Sequence, residues 1–167
     1  MIVDVHWIVR RDLPAIVRIE RESYAYPWSE ADFLDALQQR NCIGVVARHR
    51  ETVVGFAIYE ARRHTIKIVN LAVAASMRRQ RVGSQLVGFL KDKLSRDGRD
   101  QIVTFVGDDS LAAQLFLRQQ GFRATAIVRN FYNQHDGDAY VMRYGLADPN
   151  PTFQHQNRVS HYFDMEV

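Results

Sequence analysis

A short basic loop that leads into a helix is the part of this sequence most clearly suited to chemistry. Residues 69–87 read VNLAVAASMRRQRVGSQLV: an apolar strand, a loop with three arginines, and then a helical segment. The first N–H groups of a helix have no partners within the helix, and the helix dipole adds partial positive charge beside them. Arg78, Arg79 and Arg81 place full positive charge at the same point. The pattern predicts a site for an anion, most simply a phosphate group.

Length and composition set the context of this site. The chain has 167 residues, of which 47% are hydrophobic and 25% charged, with a formal net charge of +3. These values fit one globular domain with a full core, and they permit an acidic or phosphorylated partner. No run approaches the roughly 18 consecutive apolar residues of a membrane span, and the first residues lack the pattern of a signal peptide. We therefore expect a cytoplasmic protein that does not enter a membrane.

Cysteine and histidine give no sign of a disulfide framework or a metal site. Cys42 is the only cysteine and lies in an apolar stretch, so we interpret it as a small core residue rather than a nucleophile. The six histidines are not at metal-ligand spacing, and the pair His155 and His161 forms no zinc pattern. We expect no metal.

Four helices can be placed from apolar periodicity and capping residues. The first covers LPAIVRIERES with Asp12 as its cap, and the second covers SEADFLDALQQ with Ser29 and Asp32 as a capping box. The third begins in the basic loop. The fourth lies in DDSLAAQLFLRQQGF and ends at Gly121.

Six strands are predicted around these helices: IGVVARH, TVVGFAIYEA, IKIVNLAV, QIVTFV, ATAIVRNF and AYVMRYGL. The first two form a hairpin around HRE, with Gly55 as a bulge or a point of close approach. The third strand, 66–73, is apolar on both faces, which places it centrally in the sheet. Periodicity is lost from residue 147 onward, so we predict one domain over 1–146 and a tail or surface strap over 147–167.

The order of these pieces resembles the GNAT N-acetyltransferase superfamily, and within it the RimI-type enzymes, which acetylate the N-terminal amine of a small-subunit ribosomal protein. The resemblance covers most of residues 7–144. Each motif is weak alone, but their order and spacing are specific for the superfamily. The motifs are YAYPWSE at 24–30, VNLAV at 69–73, RRQRVG at 78–83, LAAQLFLRQQGF at 111–122 and VRNFY at 128–132.

The resemblance implies a fold and a co-substrate, acetyl-CoA. The fold is α/β (α+β): a mixed, mostly antiparallel central sheet of six or seven strands, flanked by about four helices, with splayed central strands that hold CoA. Main-chain groups of Leu71, Ala72 and Val73 would bind the pantetheine arm, and Ser110 stands where many members have an asparagine near the cofactor. The residues that the resemblance assigns to the pyrophosphate loop are Arg78, Arg79, Gln80, Arg81, Val82, Gly83 and Ser84.

Arg81 departs from the family's loop pattern, in which a glycine stands at this position. Its side chain either reaches outward or across the phosphates and strengthens the positive charge, or it distorts the loop and weakens cofactor binding. Because Arg78 and Gly83 are kept and the loop is strongly basic, we favour retained binding. The structural alternative is a solvated, basic start of a helix.

The usual catalytic positions are changed as well. RimI-type enzymes carry a glutamate on the strand after the cofactor helix and a tyrosine four residues before the Gly-Phe pair; here these positions are Phe105 and Leu117, which cannot move a proton. Asp108 and Asp109 could supply a base, although we interpret them first as helix-capping carboxylates. Tyr132, in the VRNFY motif, is the predicted proton donor.

The resemblance also assigns Tyr26, Trp28 and Asn130 to substrate binding, although Tyr26 and Trp28 could equally lock the two opening helices together. The first function predicted is an acetyl-CoA-dependent N-acetyltransferase acting on a protein or peptide amine, with a ribosomal protein as one candidate acceptor. The alternative is a catalytically degenerate GNAT protein that binds CoA as a sensor or interaction module. Direct nucleic-acid binding is disfavoured because the arginines outside 78–81 are dispersed.

Overall fold

A seven-stranded sheet with helices on both faces makes up the computed structural model, which describes residues 1–132 and 137–146. The predicted tail, 147–167, and most of the predicted turn before the last strand lie outside the described residues. The helices are α1 (Leu13–Ser23), α2 (Glu30–Gln38), α3 (Val82–Lys91) and α4 (Leu111–Gln119), with short 3-10 turns at Arg10–Asp12 and Ala75–Met77. The strands are β1 (Asp4–Trp7), β2 (Cys42–His49), β3 (Thr52–Ala61), β4 (Thr65–Val73), β5 (Gln101–Gly107), β6 (Arg123–Val128) and β7 (Ala139–Gly145).

The strand order is β1-β2-β3-β4-β5-β7-β6, and only β4 and β5 run parallel to each other. These two strands pair over 65–68 and 101–104 and then separate. Beyond that point β4 still pairs with β3 as far as Val73, and β5 still pairs with β7 as far as Gly107. A gap therefore opens in the middle of the sheet, and the predicted splay of the central strands is confirmed.

The sheet separates two hydrophobic cores. Successive side chains of a strand point to opposite faces, so in β3 Phe56 and Ile58 pack with α1 and α2, whereas Ala57 and Tyr59 belong to the core on the other face, where α3 packs. Each fully buried large aliphatic or aromatic side chain contributes roughly 1.5–3 kcal/mol. The two cores thus hold α1 and α2 on one face of the sheet and α3 on the other, beside the same gap.

The six predicted strands are confirmed, and β1 is an additional edge strand that the sequence analysis missed. Its four residues, DVHW, alternate polar and apolar side chains only over the shortest length that could suggest a strand, and Trp7 is 68% exposed. Pairing with β2 on one side is what holds it in the sheet. At the other edge, β6 ends at Val128 and does not continue through Phe131, because Asn130 adopts the left-handed conformation with φ 49°.

The capping box of α2 is confirmed, and Asp12 is the N-cap residue of α1 as predicted, but its side chain makes no capping hydrogen bond. Ser29 Oγ accepts from the Asp32 N–H at 3.2 Å, and the Asp32 carboxylate accepts from the Ser29 N–H at 2.7 Å, which lowers the pKa of Asp32. Asp12 instead faces the preceding 3-10 turn: its buried carboxylate accepts from the Val9 N–H at 2.9 Å and pairs with Arg48 at 2.6 Å. The Asp12 side chain, which the local sequence predicts to cap α1, instead forms a long-range ion pair with Arg48.

Gly55 is a point of close approach, as predicted. A Cβ at this position would lie 3.1 Å from the main-chain oxygen of Ala72 on β4. The bulge in the β2–β3 hairpin lies beside it, where the register shifts between Ala47 and Arg48. Because Gly55 has no side chain, α3 can pack closely against β3 and β4.

Cys42 begins β2 and is half-buried. Burial, and then the charge of Glu60, raises the pKa of its thiol, which suits a packing residue better than a nucleophile. Within 1–132 and 137–146, no group of three or more His, Cys, Asp or Glu side chains could hold a metal ion. In the same ranges, every helix is too short or too polar to cross a membrane.

Candidate active site

The separated half of β4 presents main-chain groups to the gap. The Ala74 N–H donates to Val54 O of β3 at 2.9 Å, and hydrogen-bonding direction alternates along a strand. The N–H and C=O of Ala72 therefore face β3, whereas those of Leu71 and Val73 face the gap. This corrects the predicted main-chain contact of Ala72 and leaves Leu71 and Val73 as the residues able to bind an extended ligand there.

Two side chains reach the carbonyls on this open edge. The Tyr24 hydroxyl donates to Leu71 O at 2.5 Å. The Arg78 guanidinium donates through Nε to Val73 O at 3.2 Å and through Nη2 to Ser23 Oγ at 3.0 Å. Arg78, predicted as a cofactor residue, thus ties the basic loop to the end of β4 and to the last residue of α1.

The basic loop has the form of an anion-binding turn. Among the described residues, none accepts a hydrogen bond from the main-chain N–H groups of 79–84. Arg79 and Arg81 have φ of 62° and 64°, alternating with right-handed or extended neighbours. Alternation of this kind makes successive N–H groups converge on one point. The exposed guanidinium groups of Arg79 and Arg81 form no ion pair within the described part of the chain, so both remain available to an anion.

The backbone of Arg81 is left-handed, a conformation that favours glycine. Arg81 is the N-cap of α3 with φ 64° and ψ 15°, a conformation that costs an L-residue about 1 kcal/mol or more and costs glycine little. The arginine has not distorted the start of the helix, since the Gln85 N–H still donates to Arg81 O at 3.1 Å. The neighbouring Gln80 points its amide at Ser76 O, 3.3 Å away.

Arg81→Gly should raise the thermal midpoint, corresponding to about 1 kcal/mol of stability, because it removes this strain. Arg118→Gly, at an exposed position in the last turn of α4, is the control and should lower stability, since glycine there only adds unfolded-state entropy. Thermal unfolding of the two variants beside the parent protein makes the comparison. A lower midpoint for Arg81→Gly would show that the turn is not strained.

The first turn of α3 packs closely on α4. A Cβ on Gly83 would lie 3.1 Å from the Phe116 ring, so a small residue is needed for the two helices to approach. Ser84 Oγ accepts from the Gln120 side chain at 3.0 Å, and Val82 is buried in the core. The contacts fix the direction in which the N–H groups at the start of α3 point.

Tyr132 lies across the end of β5. A Cβ on Gly107 would lie 2.8 Å from the Tyr132 hydroxyl, 2.7 Å from Asp109 Oδ1 and 3.4 Å from Ser110 Oγ, so the three groups converge where β5 borders the gap. Burial, and then the charges of Asp109 and Asp108, raise the pKa of Tyr132. The phenol therefore keeps its proton at neutral pH and can donate it.

The helix-capping interpretation of Asp108 and Asp109 is wrong. Ser110 is the N-cap of α4, and its side chain makes no capping hydrogen bond; it donates to Asp109 at 3.3 Å. Both carboxylates are exposed. Asp109 thus remains exposed near Tyr132, where its charge contributes to the raised pKa of that phenol.

Tyr24 stands on the opposite side of the gap, and the sequence analysis overlooked it. The pKa of Tyr24 is raised to about 12, first by burial of its hydroxyl and then by the charge of Glu20, with a smaller contribution from Tyr132. Tyr24 bonds to Leu71 on the β4 side of the gap and Tyr132 lies by Gly107 on the β5 side, so the two tyrosines border the same gap. The YAYPWSE motif contained the signal, but the choice between its two tyrosines needed the contact with Leu71.

Phe105 and Leu117 are packing residues. Phe105 stacks on Phe131 with 5.0 Å between ring centroids, and Lys67 Nζ lies 5.0 Å from its ring. Leu117 is 6% exposed and lies in the core between α4 and the sheet. That they occupy the usual glutamate and tyrosine positions stays a prediction.

The predicted substrate residues differ in their surroundings. Trp28 is half-buried and packs edge-to-face on Phe33 at 5.2 Å, so it joins the α1–α2 connection to the core, as the structural alternative predicts. Tyr26 is 55% exposed. The exposed Asn130 has its N–H bonded to Asp138 at 3.0 Å, in the turn that leads to Tyr132.

Comparison with known proteins adds independent information. A model of the acetyltransferase (GNAT) family matches residues 13–122. The [ribosomal protein bS18]-alanine N-acetyltransferase of Escherichia coli strain K12 is 31% identical over 133 residues, which cover 78% of this chain and 89% of that protein. The crystal structure of the Escherichia coli ribosomal-protein-S18-alanine N-acetyltransferase superposes with a TM-score of 0.77 at 25% identity, covering 90% of this chain and 98% of that one. Arabidopsis thaliana NAA60 in complex with acetyl-CoA gives a TM-score of 0.76 at 15% identity, covering 88% of this chain and 100% of that one, a likeness of fold alone.

Proposed function

The chain belongs to the GNAT family of acetyltransferases, and from that membership we propose that it transfers an acetyl group from acetyl-CoA to the N-terminal α-amine of a protein or peptide. The Escherichia coli relative above is named for acetylating an alanine of ribosomal protein bS18, so a ribosomal protein in the cytoplasm is the acceptor we propose first. The observation that carries the proposal is the open edge of β4 beside the basic loop.

The two parts of this surface suit the two parts of acetyl-CoA. Pantetheine is an extended chain with two amides, and an open strand edge can pair with it through the N–H and C=O of Leu71 and Val73. The N–H groups of 79–84 and the charges of Arg79 and Arg81 suit the pyrophosphate. Ligand pairing at the edge would share the carbonyl oxygens of Leu71 and Val73 with Tyr24 and Arg78, since each carbonyl can accept two hydrogen bonds.

The residues at the gap support a direct transfer. The acceptor amine must lose a proton to water or to a carboxylate such as Asp109, and its nitrogen then forms a bond to the acetyl carbon. As the carbon–sulfur bond breaks, the Tyr132 hydroxyl gives its proton to the leaving thiolate. The phenolate recovers a proton from the newly formed amide nitrogen, so the products are the acetylated amine and CoA. Alignment of amine and thioester supplies much of the rate, which is why a dedicated strong base is not essential.

A CoA-binding module without transferase activity is the second candidate. Two residues favour this alternative, because neither Phe105 nor Leu117 can move a proton. Phe105 is stacked on Phe131, and Leu117 is buried. In this alternative the same β4 edge and basic loop would bind CoA, and the aromatic pair would only pack.

The two candidates are separated by incubating the protein with acetyl-CoA and a mixed pool of peptides that carry free N-termini and lysines. Mass spectrometry should find acetyl groups on N-terminal amines, absent when the protein is left out. CoA binding, measured by calorimetry, combined with no acetylation of any peptide would favour the module. Loss of CoA binding altogether would contradict both.

A further inference from the structure

A group of hydrogen-bond acceptors lies at the end of α1, on the face of β4 that carries α1 and α2. Glu20 is 2% exposed, and its carboxylate accepts from the Trp28 N–H and from Asn70 Nδ2, each at 3.0 Å. Asn70 is 8% exposed, and its side-chain oxygen is buried without a partner among the described residues. An unpaired buried acceptor costs roughly 1–3 kcal/mol. The unpaired oxygen beside a carboxylate leaves a position for a donor from outside the chain, either a water or a ligand group.

Tyr24 adds a second acceptor to this group. Its hydroxyl has one proton, which it donates to Leu71 O at 2.5 Å. While that bond holds, the phenolic oxygen can only accept further hydrogen bonds. Tyr24 is 42% exposed, lies one helical turn after Glu20 and bonds to Leu71, the residue after Asn70, so its hydroxyl lies beside the buried pair.

The local charge favours a cation. Arg78 also lies near Tyr24, but its guanidinium is engaged with Ser23 Oγ and Val73 O. Glu20 affects the pKa of Tyr24 more strongly than Arg78 does in the opposite direction. A cation beside Tyr24 would therefore meet the Glu20 carboxylate, whereas the Arg78 guanidinium is held by its two hydrogen bonds.

We propose that Tyr24 and Asn70, backed by the Glu20 carboxylate, form the seat that binds the acceptor's primary amine. The inference rests on the proposed function and names the group that selects its substrate. An ammonium brings three N–H donors and a positive charge to a site of acceptors, whereas a hydroxyl brings one donor and no charge, and a carboxylate brings none. Tyr24 touches the main chain of β4 at Leu71, so an amine held there adjoins the edge on which the thioester would lie.

Peptide binding to the protein saturated with CoA tests the seat without requiring turnover. The probes are a tetrapeptide that begins with alanine and has a free N-terminus and its N-acetylated twin, compared by calorimetry. The free-amine peptide should bind at least tenfold more tightly than its twin. In Tyr24→Phe this preference should fall to less than threefold, while CoA affinity is unchanged or higher because Leu71 O is released. Glu20→Gln should lose the preference in the same way.

Tyr59→Phe is the matched control, because it removes a tyrosine hydroxyl from the other face of β3 and should leave the preference intact. Equal affinity for the two peptides in the parent protein, or an undiminished preference in Tyr24→Phe, would overturn the seat. A clear preference without acetyl transfer would overturn the proposed transferase activity and leave the seat standing.

Discussion

Tyr132→Phe should lower kcat for acetyl transfer by about a hundredfold and leave acetyl-CoA affinity within about twofold. General acid catalysis by a positioned side chain contributes typically 10²–10⁴-fold, and the low end applies where water can replace the donor at a partly open site. The phenylalanine keeps the edge-to-face contact of the ring with Phe131, at 5.1 Å, so the fold should be unaffected. Steady-state kinetics with a peptide acceptor, together with calorimetry of CoA, measure the two quantities. Undiminished turnover would make Tyr132 a packing residue.

Gly107→Ala reaches the same hydroxyl by another route. The added methyl group would lie 2.8 Å from the Tyr132 hydroxyl and 2.7 Å from Asp109, and both side chains must move to admit it. We expect about a tenfold loss of turnover with little loss of stability. Gly88→Ala is its control, because a methyl group there meets nothing within 4 Å. Equal turnover in Gly107→Ala and Gly88→Ala would mean that the Tyr132 hydroxyl takes no part in the reaction.

The pH dependence of turnover gives a further check on Tyr132. Its pKa is raised above the ordinary value of about 10, so a contribution from its proton persists through neutral pH and is lost as pH rises through that raised pKa. Asp109→Asn removes a negative charge that disfavours the phenolate, and should move this alkaline loss to lower pH. If Asp109→Asn left the alkaline limb of the pH profile of turnover unchanged, that limb would belong to a group other than Tyr132.

Local patterns in the sequence were sufficient for most of the fold. The α2 helix was predicted correctly because Ser29 and Asp32 are three residues apart and satisfy each other within one turn. The central position of β4 followed from its apolar residues on both faces, which is a property of the strand alone. The edge strand β1 was missed because its place in the sheet depends on pairing with β2, some forty residues away, rather than on its own four residues.

The functional side chains were harder to predict for the same physical reason. Tyr24 bonds to Leu71 across 47 residues of chain, and Asn70 bonds to Glu20 across 50, so no spacing within a helix or strand reveals either contact. Asp12 shows the opposite error. It stands at the right place for a helix cap, yet Arg48, 36 residues away, takes its carboxylate. The basic loop was predictable because its chemistry depends on neighbouring residues and on the start of a helix.

These long-range contacts give α1 a particular role. The helix begins beside the ion pair of Asp12 and Arg48 and ends beside Glu20 and Tyr24, which contact β4. One face of α1 thus links the anchor on β2 to the edge proposed to hold the thioester.

Arg48→Met should destabilise the protein by about 3 kcal/mol, because it leaves the Asp12 carboxylate buried with the Val9 N–H as its remaining donor. Breaking a buried pair by removing one partner costs about 3–5 kcal/mol. The lower end applies here because the buried Arg48 Nε has no partner among the described residues, so its removal relieves one unsatisfied donor. Urea unfolding monitored by circular dichroism measures the difference.

Arg129→Met is the matched control for this prediction. Arg129 and Asp138 are also 2.6 Å apart, but the Arg129 side chain is 71% exposed, against 13% for Arg48. Solvent screens such a pair, so its loss should leave the unfolding midpoint close to that of the parent protein. The double variant Asp12→Asn with Arg48→Met should recover part of the stability, since the remaining buried group is then neutral. Equal midpoints for Arg48→Met and Arg129→Met would mean that the buried pair does not anchor α1, and the position of Tyr24 would then depend on its bond to Leu71 and on the core alone.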